Sequence, residues 1–236
     1  MGFVTVLRFW PVLWAGLRVT LLLSVVAIGG GTLIGLIVGL LLTNKSRLVR
    51  APFRAYVNTF RGTPLLVQLF LIYLALPRFG IALAVLPAAM LGFVLYTGAY
   101  VAEIIRSGIQ AVPTGQTEAG YSLGLGYLQL MARIILPQTR RHIVPALASF
   151  YLSLIKDTSL ASIIGLGELI TEGQAVIAAT LKPFQVYVVI AAAYFVICFP
   201  VSRLVSWLER RSRDRDTDRE GVEAIRKRPR AQRGLV

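Results

Sequence analysis

Few side chains in this sequence are of the types that carry out catalysis. It has one histidine, His142, and one cysteine, Cys198, which lies inside an apolar run. No two carboxylates stand at a plausible catalytic spacing, and nothing near the cysteine resembles a set of metal ligands. The glycine-rich stretch 29–35 lacks the lysine with which a phosphate-binding loop holds its ligand. We therefore expect no active site, no metal and no cofactor in this chain.

Polar side chains within or beside apolar runs are the other candidates for function. An ionisable group is costly in apolar surroundings, so it faces a cavity or another polar group. The candidates that we select for lining a solute path are Tyr100, Glu103, Lys156, Asp157, Thr158 and Glu168.

Glu103 has two interpretations. Tyr96, Tyr100 and Glu103 are spaced by four and three residues, which places them on one helix face. Such a face could line a path for a polar solute. Alternatively, Glu103 pairs with Arg106 one turn further on and anchors the end of the helix.

Lys156 and Asp157 are adjacent, so on a helix their side chains point about 100° apart. One could face a path while the other faces a neighbouring helix. The residues Thr158, Ser159 and Gly165 indicate a local break, and broken helices near the membrane midplane often hold substrate. The alternative is a structural ion pair between helices.

Glu168 and Glu172 follow this helix, one turn apart. They could attract a cationic solute, contact an external protein, or simply be solvated loop acids. Together with Glu103 and Asp157 they make the membrane region acid-rich for so basic a chain. A carboxylate beside a path of low dielectric repels an unpaired anion, which favours a cationic or neutral polar solute.

The elements that must position these residues are membrane helices. Hydrophobic residues make up 56% of the 236 positions, and they form long runs. About 20 apolar residues cross roughly 30 Å of hydrocarbon as a helix. The sequence thus predicts an all-α integral membrane protein with about five spans, at 19–42 (or from about 14), 63–77, 86–105, 143–165 and 184–205.

Basic residues gather at alternate breaks between the spans. The formal net charge is +14, and most of it lies in the first loop, the third-to-fourth loop and the tail. The positive-inside rule places those segments in the cytoplasm and the N-terminus outside. A multi-pass membrane protein explains this charge, and nucleic acid binding does not.

Two further segments have a recognisable character. Residues 1–208 form the membrane domain, whereas 209–236 are highly charged, lack aromatics and cannot build a core. We expect that tail to be cytoplasmic and without a fold of its own.

In the first span, Gly31, Gly35 and Gly39 recur every four residues, which favours close packing of helices.

The loop at about 113–138 is too long for a simple connector, and much of it has helical spacing. Glu118 is expected to open a short helix and Pro137 to end it. Such a helix outside the bilayer, beside several arginines, suits docking to a soluble partner. The positions that form its pattern are Glu118, Ala119, Gly120, Gly124, Ile134, Leu136 and Pro137.

This pattern resembles the EAA loop of bacterial ABC importer permeases: EAA, three residues, glycine, nine residues, then I-x-L-P. The one departure is Gly120, where the family usually has alanine; it costs about 1 kcal/mol of helix propensity. Further segments resemble the polar amino acid branch, namely 13–20, 60–71, 98–113 with Gly115 and Gln116, and 156–162. The resemblance covers about residues 10–205.

The resemblance implies the type I permease fold of an importer of polar amino acids. It also implies three kinds of partner: a cytoplasmic ATPase dimer that uses ATP and magnesium, a second permease as homodimer or heterodimer, and an extracytoplasmic solute-binding protein. Alternatives are an importer of another small polar solute, such as an opine or compatible solute, or an ion-coupled secondary carrier. A secondary carrier has no use for an EAA loop.

Overall fold

The computed structural model describes residues 2–44 and 46–227, with side chains for 3–44 and 46–210. Every regular element in this part of the chain is helical. In chain order the α-helices are α1 (Gly2–Leu7), α2 (Trp10–Leu41), α3 (Arg47–Gly62), α4 (Leu65–Phe70), α5 (Val85–Gln110), α6 (Thr114–Ser122), α7 (Tyr127–Leu130), α8 (Leu136–Asp157), α9 (Leu169–Thr180) and α10 (Pro183–Lys227).

Four helical stretches are long and apolar enough to cross a membrane, and they cover 10–41, 85–110, 127–164 and 183–210. A fifth span arises if α3 and the stretch Leu65–Phe79 count as one, although they meet at 108°. The predicted all-α membrane architecture with about five spans is therefore confirmed.

Three predicted boundaries were too narrow. The first span begins at Trp10, the second is preceded by a helix that begins at Arg47, and the fourth begins at Tyr127. The added turns carry polar and basic side chains such as Arg50 and Arg54. A search for apolar runs overlooks helical turns of this kind, because only one of their faces packs against the protein.

Two of the prolines within helical stretches follow a wide π turn. The π turn Leu71–Ala75 precedes Pro77, and the π turn Met131–Ile135 precedes Pro137. A proline in a helix lacks an N–H and clashes with the preceding turn, and a local π turn accommodates both. The expectation that Pro137 ends the helix was wrong, since α8 continues to Asp157.

Helices α2 and α5 run parallel in close contact along the glycines of the first span. A Cβ on Gly35 would lie 2.5 Å from the Cβ of Val101 and 2.9 Å from the carbonyl oxygen of Gly98. A Cβ on Gly39 would lie 2.9 Å from the carbonyl oxygen of Ala102. The interpretation of these glycines as a packing face is confirmed.

Two of the apolar clusters show how the spans are held together. In the first, Leu23, Leu69, Phe93 and Leu154 bring α2, α4, α5 and α8 into one core, and all four are buried. The second joins α1, α2, α9 and α10 near the start of the first span; its buried members include Val6, Leu13, Leu17, Leu169, Val176, Val186 and Ile190.

Helix α10 runs past the last span into the charged tail, as far as Lys227. The sequence predicts no independent fold for 209–236, and that remains a prediction for the segment as a whole. Residues 228–236 lie outside the described part of the chain, as do the side chains from 211 onward.

Candidate functional site

The loop between the third and fourth spans carries the exposed helix α6. Pro113 precedes it, and the Pro113 carbonyl accepts a hydrogen bond from the Gln116 N–H at 3.0 Å. Glu118 lies in the middle of α6, so the expectation that it opens the helix was wrong. The start is instead set by Pro113, whose fixed φ prevents the preceding helix α5 from continuing into α6. The side chains of Glu118 and Ala119 are exposed.

Gly124 terminates α6 for a reason that its backbone shows. Its φ is +76°, in the left-handed region that costs other residues roughly 1–2 kcal/mol. The Leu125 N–H donates to the Gly120 carbonyl at 3.1 Å, and the Gly124 N–H donates to the Tyr121 carbonyl at 2.9 Å. This is the arrangement with which glycine commonly closes a helix.

Helix α6 packs back on the first turns of the fourth span. Gly120 is buried, and a Cβ there would overlap the Cδ1 of Leu130 and lie 3.6 Å from the Cδ1 of Ile134. Gln138 also donates to Gln116 at 3.3 Å. The glycine at position 120 therefore permits a close approach of α6 to the start of the fourth span.

The surface around α6 is apolar and open. Leu123 is 78% exposed and Leu128 is 80% exposed, while Tyr121 and Tyr127 are about half exposed. Exposed apolar side chains that lie together indicate a docking surface for another molecule. The arginines of the same region are Arg106, Arg133, Arg140 and Arg141.

A stripe of aromatic rings runs along α5 toward the end of this helix that leads into α6. The rings of Tyr96 and Tyr100 are 4.6 Å apart, and that of Tyr100 stacks on Phe150 of α8 at 5.1 Å. The predicted common face of Tyr96, Tyr100 and Glu103 is thus present. The guanidinium of Arg61 lies 5.5 Å from the Tyr100 ring centre and continues the stripe.

Glu103 lies at the end of this stripe, in a network with two arginines. Its carboxylate accepts hydrogen bonds from Arg106 at 2.8 and 2.5 Å, and it lies 3.5 Å from Arg61 of α3. The alternative in which Glu103 pairs with Arg106 is present in the structure. Glu103 and Arg106 also line a small polar cavity of about 130 Å³, together with Arg54 and Asn58.

Lys156 and Asp157 have different neighbours, as their spacing predicts. Asp157 is half-buried on the side of Tyr96, whereas Lys156 is exposed on the side of Cys198 in α10. Neither takes part in an ion pair within 4.0 Å with any other side chain that the structure describes. The predicted helix break is confirmed, since Thr158–Ile164 is a 3₁₀ turn that ends at Gly165 with a φ of +81°.

Thr158 and Glu168 lie apart from the stripe, in a buried polar junction. Both are 0% exposed, so Glu168 is not a solvated loop acid. Glu168 caps α9 by accepting a hydrogen bond from the Thr171 N–H at 2.9 Å. The hydroxyl of Tyr194 faces Thr158, Thr20 and Glu168. Burial raises the pKa of the Glu168 carboxyl above its ordinary value.

Sequence reasoning missed three members of these groups. Arg61 lies 42 positions before Glu103 in the chain, and no local spacing connects the two. Thr20 and Tyr194 lie in long apolar runs, where one hydroxyl gives no signal of its own. A polar residue in a span that lacks a nearby partner is the sign that could have drawn attention to them.

Comparison with known proteins identifies the family. Residues 31–214 match the model of the family described as the binding-protein-dependent transport system inner membrane component. The L-cystine transport system permease TcyB of Bacillus subtilis is 43% identical over 204 residues, which are 86% of this chain and 87% of that protein. The probable glutamine ABC transporter permease GlnM of the same organism is 36% identical, over 81% and 89% of the two chains.

Solved structures agree with these relatives. A crystal structure of an amino acid ABC transporter with histidines matches with a TM-score of 0.83 and 37% identity, over 89% of this chain and 99% of that one. The methionine ABC transporter MetNI matches in fold alone, with a TM-score of 0.67 and 23% identity over 85% and 98% of the chains. This chain therefore belongs to the inner membrane components of binding-protein-dependent transport systems.

Proposed function

We propose that this chain is the permease subunit of an ABC importer that carries polar amino acids across the bacterial cytoplasmic membrane. The observation that carries the proposal is the exposed helix α6, which has the EAA spacing and packs on the start of the fourth span. The relatives described above are named for L-cystine, glutamine and amino acid transport, and these names support the substrate class.

In this proposal α6 is the coupling helix. The exposed Glu118 and Ala119 face a cytoplasmic ATPase dimer, and the open apolar side chains Leu123 and Leu128 fill a groove on it. ATP and magnesium are bound by that dimer. When the dimer closes, it displaces α6, and the contacts of Gly120 with Leu130 and Ile134 pass the movement to the fourth span.

The solute path follows the stripe on α5. Asp157 and Tyr96 lie toward the broken end of the fourth span, and Tyr100, Arg61 and Glu103 continue the path toward the coupling helix. Aromatic faces and paired charges suit a zwitterion, because they offer partners for both its ammonium and its carboxylate. Lys156 lies at the rim of the same break and is exposed.

The charge of the solute follows from which acids are neutralised. Glu103 has two arginine partners, and Glu168 is enclosed. Of the acids considered, only Asp157 is half-buried beside the stripe without an ion pair to a described side chain. One acid without an ion pair repels a solute with net negative charge. We therefore propose a neutral or cationic amino acid, not glutamate or aspartate.

The assembly needs further chains. A second permease, either another copy or a homologue, completes the path, and an external solute-binding protein delivers the solute. The arginine-rich loops and the C-terminal tail face the cytoplasm, and the N-terminus lies outside.

Uptake by the reconstituted importer tests the proposal. Vesicles that contain the permease with its ATPase and binding protein should take up cystine, glutamine or arginine when ATP is enclosed. Excess glutamate should compete weakly, and betaine or an opine should not compete. Competition by glutamate alone would contradict the charge argument. Uptake driven by an ion gradient without ATP would contradict the importer itself.

A further inference from the structure

Glu168 is a fully buried acid at the meeting point of four elements. Its carbonyl oxygen lies against Gly16 of α2, and the N–H of the next residue, Leu169, donates to Thr20 of α2 at 3.2 Å. Thr158 begins the 3₁₀ turn of the fourth span, and Tyr194 of α10 closes the group. The first, fourth and fifth spans therefore meet α9 at this residue.

The two carboxyl oxygens of Glu168 are used differently. Oε1 accepts from the Thr171 N–H at 2.9 Å and from the Thr171 hydroxyl at 3.3 Å. Oε2 is buried and has no hydrogen-bond partner among the residues that the structure describes. An ionised carboxylate needs donors at both oxygens, whereas a neutral carboxylic acid turns one oxygen into a donor itself.

Opposing influences act on the charge of Glu168: its burial disfavours the ionised form, whereas the N–H groups of Ile170 and Thr171 at the start of α9 favour it, and burial is the larger influence. The titratable groups that face it are Glu172 on its own helix and the Tyr194 phenol on α10, while α2 and the 3₁₀ turn contribute the hydroxyls of Thr20 and Thr158. No described basic side chain lies within 4.0 Å of it. A buried charge without a cation is costly by several kcal/mol, so the acid is expected to retain its proton.

We infer that Glu168 is a positioning residue that acts as a neutral carboxylic acid: Oε1 caps α9, while protonation of the buried Oε2 removes a charge that no described donor or cation beside it would balance. It is not part of the solute path. It fastens the broken end of the fourth span to the outer parts of the first and fifth spans. This role rests on the proposed transport function, because its consequence is the placement of Asp157 next to Thr158.

Substitution by glutamine separates a neutral acid from a carboxylate. Glu168→Gln keeps an acceptor for Thr171 and a donor in place of the protonated Oε2, so uptake should stay within about twofold of wild type. Glu168→Ala removes the cap and leaves a cavity where the four elements meet, and uptake should fall about tenfold or more. A loss in Glu168→Gln as large as that in Glu168→Ala would overturn the inference.

A measurement without substrate keeps this test independent of the transport assay. Because the folded-state pKa is raised, ionisation of Glu168 is opposed by the folded protein, and stability is lost as pH rises from the ordinary carboxyl range through the folded value. The melting temperature of wild type in detergent should therefore fall relative to that of Glu168→Gln as pH rises. Glu172→Gln, one turn away, serves as the control. The melting temperature of wild type relative to that of Glu172→Gln should not fall in the same way as pH rises.

The two measurements separate the possible failures. If wild type takes up no amino acid but the melting temperatures follow the expected pH trend, the transport proposal fails and the neutral acid stands. If the difference in melting temperature between wild type and Glu168→Gln does not change with pH, Glu168 does not titrate as inferred, and the inference is overturned whatever the uptake.

Discussion

At the residue scale, the first span packs closely because three of its positions have no side chain. Gly31, Gly35 and Gly39 allow the backbone of α2 to lie against α5 with almost no side chain between them. In lipid there is little hydrophobic force between helices, so close packing of this kind holds spans together. Gly29, on the same helix, has nothing within 4 Å of the position that a Cβ would take.

Two single substitutions test this packing. Gly35→Ala places a methyl group 2.5 Å from the Cβ of Val101 and 2.9 Å from the Gly98 carbonyl oxygen, and backbone cannot move aside easily. We expect a loss of about 1–3 kcal/mol, as for other overpacked sites. Gly29→Ala is the matched control and should be neutral or slightly stabilising. Thermal unfolding in detergent measures both, and equal melting temperatures would contradict the packing role.

At the element scale, the structure joins a short surface helix to a long broken span. Helix α6 ends at the left-handed Gly124, and α7, the π turn and α8 then continue as one stretch to the 3₁₀ turn at Thr158. Helix α6 and the break beside Asp157 therefore lie at the two ends of the same span. In the coupling role that we propose for α6, a push on this helix reaches the break through a continuous helical stretch rather than a loop.

Some of these elements were predictable and others were not. The apolar runs predict the spans, and the residues Thr158, Ser159 and Gly165 predict the break, because hydroxyls and glycine locally disfavour a regular helix. The extension of the fourth span back to Tyr127 was missed, since Pro137 normally signals a helix end. The π turn that tolerates this proline depends on backbone geometry that no residue type announces.

Substitutions on α6 test its coupling role. Glu118 is exposed, so Glu118→Lys should leave insertion unchanged while reversing the charge offered to the ATPase, and transport should be abolished. Glu118→Gln should have a smaller effect. Gly124→Asp should also abolish transport, because it strains the turn at a φ of +76°. Co-purification with the ATPase and substrate-stimulated ATP hydrolysis are the measurements, and wild-type values in both Glu118→Lys and Gly124→Asp would exclude the docking role.

At the scale of the whole molecule, the distribution of basic residues and the directions of the helices indicate the same arrangement. Helices α2 and α5 run parallel, as the contacts from Gly35 to Val101 and from Gly39 to Ile105 show. The C-terminal ends of α2 and α5 therefore lie on the same side of the bundle. Both helices lead into arginine-bearing segments. Helix α9 packs against the opposite end of α2, near Gly16.

This arrangement predicts the orientation in the membrane. In a variant whose Cys198 is replaced by serine, cysteines introduced as Ser46→Cys and Thr217→Cys should resist impermeant thiol reagents in intact cells and react after permeabilisation. Both positions lie in basic segments, which the positive-inside rule keeps in the cytoplasm. Gln174→Cys, on an exposed position of α9, is the control and should react in intact cells. Ready labelling of the first two with protection of the third would reverse the orientation, and the docking side of α6 with it.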